Sequence, residues 1–202
     1  MTDYSTPWPD VPPSTFDADV PISVALQFKV TSAAWLKGFR FWRGTTDILG
    51  PVEAELFRVD GAGVGTAIPA TDVTYGLSGI GWQTVLLPTP YLLTVGQDYK
   101  AVHHFPTNYT ATGGYFTGGL GSAGFVNGPL TVFSAAGSTE GQDTFTAGAA
   151  ITYPVSTFNG GNFWVDVIVT DSIAPPAPIT AFTGGNGDCD CFVCYGACAV
   201  TP

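Results

Sequence analysis

The sequence predicts an all-β protein, built as an antiparallel β-sandwich of the jelly-roll or immunoglobulin-like type. Two segments, around Phe39 to Arg43 and around Phe163 to Val169, alternate apolar and polar residues with the period of two that a half-buried strand shows. The 26 Gly and 16 Pro residues are scattered between apolar runs, as turn residues are. No segment combines a helical period with capping residues. The chain is therefore expected to contain many short strands.

The N-terminal segment, residues 1–21, is predicted to be an extended arm. It holds five prolines: Pro7, Pro9, Pro12, Pro13 and Pro21. Proline opposes helix formation and cannot donate the backbone hydrogen bond that strand pairing needs. The arm also carries two aromatic residues, Trp8 and Phe16. They are expected either to contact a neighbouring subunit or to pack back onto their own domain.

Residues 22–171 are predicted to form the sandwich itself. In its first strand, residues 22–30, every second side chain is apolar and belongs to one buried face: Ile22, Val24, Leu26, Phe28 and Val30. Further strands are predicted at residues 34–43, 52–59, 82–87, 98–105, 150–154 and 163–170. Weaker patterns lie at residues 66–74, 90–95, 113–117 and 129–133. The spacing of these segments, with turns of Gly, Pro and Asp between them, is typical of an antiparallel sandwich.

Residues 106–149 are predicted to form long loops, because they are too rich in Gly and Thr to hold a long helix. Loops on a rigid sandwich commonly carry function, so this segment is the predicted binding surface. The candidate ligand-binding residues, which would stack on sugar rings or bond their hydroxyls, are Tyr109, Tyr115, Phe116, Phe125 and Asn127. Four tryptophans instead occupy strand positions where burial is expected: Trp35, Trp42, Trp82 and Trp164.

After the sandwich, residues 172–187 are predicted to be a Pro- and Gly-rich linker, and residues 188–202 a cysteine-rich tail. The tail contains all four cysteines: Cys189, Cys191, Cys194 and Cys198. Their compact spacing lacks the two separated C-x-x-C pairs of a usual four-cysteine zinc site. Three states stay open for them, namely disulfides, a bound zinc ion and free thiols. In each state the tail is expected to be structural, and no other cofactor is expected.

The distribution of charge limits the classes of partner. The net charge is -10, and all 6 Lys and Arg residues lie in the first hundred positions. Such a surface repels phosphate backbones and anionic lipids, so nucleic acid is not an expected partner. No stretch of about 18 apolar residues occurs, and membrane insertion is not expected. The N-terminus, Met1 to Tyr4, lacks the pattern of a signal peptide, which predicts synthesis without an export signal of its own.

The histidines do not predict an enzyme. His103 and His104 are adjacent on a predicted strand, so their side chains point to opposite faces and cannot share a metal ion. The sequence contains neither a G-x-S-x-G nucleophile motif nor an H-E-x-x-H zinc motif.

The carboxylates also have non-catalytic interpretations. Glu53 and Glu55 alternate with apolar residues and are expected to lie on a solvated strand face. Asp166 is expected to form a structural ion pair with Arg40 or Arg43. The chain is therefore expected not to be an enzyme.

Six motifs follow one another in a characteristic order. They are Val24-Ala25-Leu26-Gln27-Phe28, Leu36-Lys37-Gly38-Phe39-Arg40-Phe41-Trp42-Arg43-Gly44, Gly81-Trp82-Gln83-Thr84-Val85, Asn127-Gly128-Pro129-Leu130, Tyr153-Pro154-x-Ser156-Thr157-Phe158 and Asn162-Phe163-Trp164-Val165-Asp166-Val167. Over roughly residues 20–170 the chain thereby resembles the bacterial domain of unknown function four thousand and eighty-two. Members of that family are β-sandwich modules, mostly repeated in large secreted proteins of actinobacteria and related bacteria. The resemblance implies a fold like that of carbohydrate-binding modules and a non-catalytic binding or spacer role, with no agreed binding residues.

The context of this module leads to a functional hypothesis. A single copy with its own arm and tail resembles the structural proteins of tailed phages, which use such domains for capsid decoration, minor tail proteins or fibres. The chain is thus expected to be a non-enzymatic virion component on the particle surface, contacting other virion proteins, its own copies as a homo-oligomer, and host surface glycans. The alternative is a carbohydrate-binding or adhesion module of a bacterial cell-surface system.

Overall fold

A computed structural model describes residues 2–13, 17–18, 21–138 and 140–173. Within these residues, thirteen strands form two antiparallel sheets, and one 3-10 turn spans Pro69–Thr71. The strands are β1 (Asp3–Tyr4), β2 (Ile22–Val30), β3 (Ala34–Arg43), β4 (Glu53–Gly61), β5 (Val64–Ala67), β6 (Val73–Thr74), β7 (Gly81–Leu93), β8 (Tyr99–Phe105), β9 (Phe125–Asn127), β10 (Leu130–Val132), β11 (Thr144–Ala147), β12 (Ser156–Thr157) and β13 (Val165–Thr170). The predicted all-β antiparallel sandwich is confirmed.

The two sheets differ in size. The smaller sheet has four strands in the order β1-β13-β3-β7. The larger sheet has nine strands, six of them in the order β12-β11-β2-β8-β4-β5, with β10 also paired to β2, β9 to β10 and β6 to β4. Strand β2 therefore pairs with β8 along one edge and with both β10 and β11 along the other. This strand is the centre of the larger sheet.

The hydrophobic core lies between the sheets. The apolar face of β2, including Val24 and Phe28, packs in one cluster with the inner face of β3, including Phe39 and Phe41. All four side chains are completely buried. Burying a side chain of this size stabilises a fold by about 1.5–3 kcal/mol. The period-two pattern of the sequence thus defines the two faces that form the core.

The outer face of the larger sheet is also covered. Ile151 and Tyr153 pack against Phe57 and Val102 in a second, smaller cluster. The segment at residues 150–154 was predicted to be a strand, and that prediction is wrong. Its apolar residues lie across the sheet instead of pairing with a neighbouring strand.

Other strand boundaries differ from the predicted ones. Residues 82–87 and 90–95 were predicted as two strands, but Gly81–Leu93 is one long strand whose register with β3 shifts between Leu36 and Gly38. Residues 113–117 form turns, whereas Thr144–Ala147, which the sequence pattern did not predict, pairs with the start of β2. Short strands of this kind carry too few residues for a recognisable period.

The N-terminal arm packs onto its own domain. Strand β1 pairs with β13, so the arm adds an edge strand to the smaller sheet. The indole of Trp8 lies edge-on to the rings of Phe125 and Phe116, at centroid distances of 5.2 and 6.3 Å. Trp8 is half-buried and packs back onto its own domain, which is one of the two interpretations of the arm, and its contact with a neighbouring subunit stays a prediction. Phe16 lies outside the described residues.

The linker and tail are mostly outside the described part of the chain. Of residues 172–187 only Ser172 and Ile173 are described, and none of residues 188–202. The four cysteines Cys189, Cys191, Cys194 and Cys198 therefore lie outside the described residues, and their state stays a prediction. No helix in the described ranges is long and apolar enough to cross a membrane.

Candidate functional site

A pocket of about 250 Å³ opens at one end of the sandwich, where β2 and β13 begin and β8 has ended. We call it the end pocket. It is lined by residues from four separate parts of the chain: Asp17, Ile22, Tyr109, Ala111, Thr112, Gly113, Asp143, Phe145, Phe158, Gly161 and Phe163. The lining is mainly apolar and aromatic with a few polar groups, which is the usual composition of a small-molecule site.

The aromatic rings form the inner and outer parts of this pocket. Tyr109 and Phe163 are buried and lie 5.5 Å apart, with their rings close to perpendicular. Phe158, in contrast, is 69% exposed and lies at the mouth. An exposed apolar ring beside a pocket offers a flat face on which a ligand could pack.

The carboxyl group of Asp143 is the principal polar feature of the end pocket. Asp143 is only 3% exposed, and its carboxyl group lies beside the backbone N–H of Gly161, which donates a 3.2 Å hydrogen bond to the carbonyl of Phe158. The Oδ1 atom of Asp143 has no hydrogen-bond partner among the described residues. Burial raises the pKa of Asp143 well above its usual value. A buried carboxyl oxygen without a partner is costly, so it marks a place for a ligand group that donates a hydrogen bond.

The local backbone is built to hold this carboxyl group. Asp143 has a positive φ of 67°, a conformation that Asp and Asn tolerate better than most residues. A Cβ on Gly161 would lie 2.5 Å from Asp143 Oδ2 and 3.2 Å from the carbonyl oxygen of Thr112. A larger residue at position 161 would therefore displace the Asp143 carboxyl group from its place in the pocket wall.

Asn162 is a second buried residue with an unpartnered polar atom. It is 2% exposed, and its backbone exchanges hydrogen bonds with Thr112, a residue of the pocket wall. Its Oδ1 accepts a hydrogen bond of 2.8 Å from the backbone N–H of Trp164. Its Nδ2 has no partner among the described residues. Sequence analysis identified neither Asp143 nor Asn162 as a site residue.

Only one of the predicted ligand-binding residues, Tyr109, lines the end pocket. Tyr115 and Phe116 are buried and Phe125 is half-buried around the arm, and the Tyr115 hydroxyl donates a 2.7 Å hydrogen bond to Asp10. Asn127 donates to the backbone carbonyl of Ser5. The expectation of an exposed stacking surface in residues 106–149 is therefore corrected, because the arm packs over these side chains.

The tryptophans also differ from expectation. Trp164 is completely buried, but Trp35, Trp42 and Trp82 are only half-buried. Trp42 and Trp82 are register partners and lie on the outer face of the smaller sheet, with the guanidinium of Arg40 4.3 Å from the Trp82 ring. Since Phe39 and Phe41 face the core, the period of two places Trp42 outside.

The two histidines lie on opposite faces of β8, as predicted. His103 is in the core, with its Nε2 2.8 Å from the Tyr75 hydroxyl, and burial lowers its pKa to about 3. His104 lies on the other face, with its Nδ1 3.3 Å from the Ser23 hydroxyl. Among the described residues, no group of three or more His, Cys, Asp or Glu side chains is arranged to hold a metal ion.

The carboxylates predicted to be structural, which lie outside the end pocket, form an ion pair or are buried in a sheet. Asp166 is completely buried and forms an ion pair of 2.7 Å with Arg40, as predicted. Arg43 instead donates to backbone carbonyls, including that of Ile48. Glu55 is buried, so the expectation of a solvated face is wrong for this residue, and burial together with Asp72 raises its pKa.

A further buried ion pair, which sequence analysis did not detect, joins Lys100 to Glu140. The Lys100 side chain is completely buried and also donates a 2.7 Å hydrogen bond to the carbonyl of Pro154. Glu140 accepts further hydrogen bonds from the Tyr153 hydroxyl and the Gly63 N–H, both of 2.7 Å. Each partner is satisfied within the described residues, so this cluster fixes loops to the outer face of the larger sheet.

The fold and the end pocket together define a β-sandwich module that carries a concave, aromatic-lined site in its described part. The family model described as Domain of unknown function (DUF4082) matches residues 9–165. The chain belongs to this family, as its motifs indicated. No curated protein sequence is significantly similar to it. The description of this family assigns no function to its members.

Proposed function

We propose that this chain is a non-enzymatic binding module that attaches its carrier to a carbohydrate surface through the end pocket. The observation that supports this function is the unpartnered Oδ1 of the buried Asp143 in a pocket with aromatic walls. Attachment through a sugar needs no cofactor.

Carbohydrates match the chemistry of this pocket. A sugar ring offers hydroxyl groups that donate hydrogen bonds and an apolar face of C–H groups. Asp143 Oδ1 would accept a hydrogen bond from such a hydroxyl group. Phe158, exposed at the mouth, would pack against the apolar face. The hydroxyl groups of a sugar would thus contact Asp143, and its apolar face would contact Phe158.

Binding without catalysis fits the arrangement of the carboxyl groups. Hydrolysis of a glycosidic bond usually needs two carboxyl groups that face the bond from opposite sides. The second carboxylate of the pocket, Asp17, is exposed, and its residue is attached to the wall by two backbone hydrogen bonds with Tyr109. We infer a role for Asp17 at the rim, where it would contact substituents of a bound sugar.

The carrier of this module is proposed to be a phage particle, where the protein serves as a capsid decoration or a minor tail component. Attachment to host surface glycans would then be its contribution to infection, and other virion proteins or further copies of the chain would be its structural partners. In a bacterial cell-surface system, the same pocket would act in adhesion. The phage particle and the bacterial cell surface would use the same sugar-binding activity of the module. This activity requires neither a nucleic acid partner nor insertion into a membrane.

The test is a glycan array followed by titration calorimetry on the full chain and on Asp143→Asn. The backbone N–H of Gly161 beside this side chain favours the amide oxygen at its position, so the NH₂ group would take the place of Oδ1 in the pocket. A buried sugar hydroxyl left without its acceptor costs about 1–3 kcal/mol, which predicts about five- to 150-fold weaker binding. Positive φ suits Asn as well as Asp, so the fold should be preserved.

The matched control is Asp60→Asn, which removes one negative charge from the β4–β5 hairpin. In this hairpin Arg58 of β4 pairs with Tyr99 at the start of β8, whereas the end pocket lies beyond the last residue of β8. The hairpin is therefore at the opposite end of the larger sheet. This control should bind as the unsubstituted chain does. A protein that binds no glycan on the array, or an Asp143→Asn variant with unchanged affinity, would contradict the proposed function.

A further inference from the structure

We propose that Lys100 and Glu140 become joined by a covalent amide bond, which forms between the Lys100 amine and the Glu140 side-chain carboxyl group with loss of one water molecule. This bond is a modification of the folded chain and does not depend on the proposed binding of sugars. Three observations support it: the contact between the two groups, the donors that hold the carboxyl oxygens, and the burial of both side chains.

The amine and the carboxyl group are in direct contact. The Nζ atom of Lys100 contacts Oε2 of Glu140, so Cδ is at most one carbon–oxygen bond, about 1.2 Å, farther from Nζ than Oε2 is. A reaction between two groups is favoured when the atoms that will bond are held about 3–3.5 Å apart. The carbonyl of Pro154 accepts a 2.7 Å hydrogen bond from the same Nζ atom and so fixes its position. The fold thus brings the two reacting atoms together.

Two hydrogen-bond donors hold the oxygens of the carboxyl group. The N–H of Gly63 donates a 2.7 Å hydrogen bond to Oε1 of Glu140, and the Tyr153 hydroxyl donates one of 2.7 Å to Oε2. When the amine attacks Cδ, negative charge develops on Oε1, and a backbone N–H that already points at this oxygen stabilises that charge. The Tyr153 hydroxyl contacts the oxygen that leaves as water. Each oxygen therefore has a donor suited to its part in the reaction.

The reaction needs no oxidant, cofactor or further reactant. One proton passes from the Lys100 ammonium to Oε2 of Glu140, which leaves a lone pair on Nζ directed at the carboxyl group. This lone pair forms the Nζ–Cδ bond, and the electrons of the double bond between Cδ and Oε1 move to Oε1. A second proton then passes from Nζ to Oε2, Oε2 departs as water, and the double bond to Oε1 forms again.

Burial favours the neutral product. The Lys100 side chain is completely buried, and that of Glu140 is 4% exposed. Burial lowers the pKa of Lys100, which eases the loss of its proton. Burial raises the pKa of Glu140, but the hydrogen bonds from Lys100 and Tyr153 outweigh this effect and lower it, so the ion pair is the state from which the reaction starts. Conversion of this pair to an amide removes two charges from a place where water cannot solvate them.

Two other ion pairs of the described residues each lack one requirement of this reaction. Lys37 and Asp3 pair at the surface, where their side chains are 29% and 43% exposed and water solvates both charges. Asp166 is buried, but its partner Arg40 carries a guanidinium group, which stays protonated in proteins and is not a nucleophile. The proposed pair combines a lysine amine with burial.

The first experiment is the intact mass of the full chain, reduced and denatured so that no disulfide contributes. The amide bond should lower the mass by one water molecule, about 18 Da, relative to the mass calculated from the sequence with or without Met1. Lys100→Arg is the matched control, because it keeps the positive charge and lacks the amine, and it should have the full calculated mass. An unsubstituted chain of full mass, or a Lys100→Arg variant with the same deficit, would overturn the inference.

The second experiment locates the bond by tryptic cleavage of the denatured chain. Lys100 is the last basic residue, so a chain without the bond gives the separate fragments 59–100 and 101–202. Trypsin does not cleave after a lysine whose amine is acylated, so the linked chain should give one fragment, 59–202, that is lighter by one water molecule. Glu140→Ala should restore the two fragments. Complete cleavage after Lys100 in the unsubstituted chain would refute the bond.

The third experiment tests the contribution of Tyr153. Tyr153→Phe removes the hydroxyl that donates to Oε2 and keeps the ring, whose centroid is 4.3 Å from Lys100 Nζ. The linked fraction, followed by mass at intervals after synthesis, should rise at least about tenfold more slowly than in the unsubstituted chain. An equal rate would overturn the role of the hydroxyl. These outcomes are independent of the glycan array, so this inference and the proposed function can fail separately.

Discussion

The carboxylate of Asp166 connects the N-terminal arm to the smaller sheet, and its removal should release the arm. Asp166 accepts hydrogen bonds from Thr6 Oγ1 at 2.6 Å, from Trp8 Nε1 at 3.2 Å and from the Nε and Nη2 atoms of Arg40 at 2.9 and 2.7 Å. The side chain is completely buried. One carboxylate thus holds two residues of the arm and one residue of β3.

The expected cost of Asp166→Ala follows from these contacts. The substitution leaves the guanidinium of Arg40, which is 20% exposed, without its anionic partner and removes the acceptor of the Thr6 hydroxyl. Removing one partner of a buried ion pair costs about 3–5 kcal/mol. A typical domain has a free energy of unfolding of about 5–15 kcal/mol, so the loss should be a large fraction of the total. The double variant Asp166→Leu/Arg40→Met leaves no uncompensated charge and should be more stable than Asp166→Ala.

Urea denaturation followed by tryptophan fluorescence measures the free energy of unfolding, and chymotrypsin measures access to the arm at the Tyr4–Ser5 bond. In Asp166→Ala the enzyme should cleave after Tyr4 under conditions in which the unsubstituted chain is protected. The matched control is Asp3→Ala, which breaks another ion pair between arm and sheet, the 2.6 Å contact with the partly exposed Lys37. It should cost less than about 1 kcal/mol. If Asp166→Ala costs no more than this control and the Tyr4–Ser5 bond stays protected, the proposed connection is refuted.

Two further predictions concern buried charges. Because burial raises the pKa of Asp143 in the folded protein, the folded state keeps a proton that the unfolded chain loses above about pH 4; its stability should fall with rising pH, by up to about 1.4 kcal/mol per pH unit, until the folded pKa is reached. Asp143→Asn lacks this loss, so the free energy of unfolding of the variant, measured relative to the unsubstituted chain by urea denaturation, should rise as the pH increases above about 4. A difference independent of pH would contradict a raised pKa for Asp143. Lys100→Met leaves Glu140 buried without a cation and should lower the free energy of unfolding by about 3–5 kcal/mol. Lys100→Met/Glu140→Gln should recover part of that loss in the same assay, and a double variant as unstable as the single one would argue against an uncompensated charge as the cause.

Much of the fold was predictable because its longest strands have one clear apolar face. Apolar and polar residues alternate along β2 and β3, which are nine and ten residues long. The same period of two places His103 and His104 of β8 on opposite faces of the larger sheet. The same rule could have placed Trp42 on the outer face, since Phe41 beside it faces the core. The ion pair of Asp166 with Arg40 was predictable because both residues lie on strands that alternate in this way.

The candidate site was not predictable in the same way. The end pocket combines Asp17, Tyr109, Asp143 and Gly161, which come from distant parts of the chain and meet only when both sheets have formed. No local pattern marks such a set. The burial of Tyr115 likewise depends on the arm, because an aromatic residue in a Gly-rich segment is exposed or buried according to what packs over it.

The pairing of β13 with β3 has a consequence for the synthesis of the protein. Arg40 and Asp166 are 126 residues apart in the chain, and β13 is the last strand of the described residues. At about 5–20 residues per second, a ribosome needs about ten seconds to make the residues between them. During that interval one edge of β3 has no partner strand, and the core cannot close. The nascent chain would therefore be most prone to aggregation at β3, and co-translational chaperones should bind there before residues 165–170 are made.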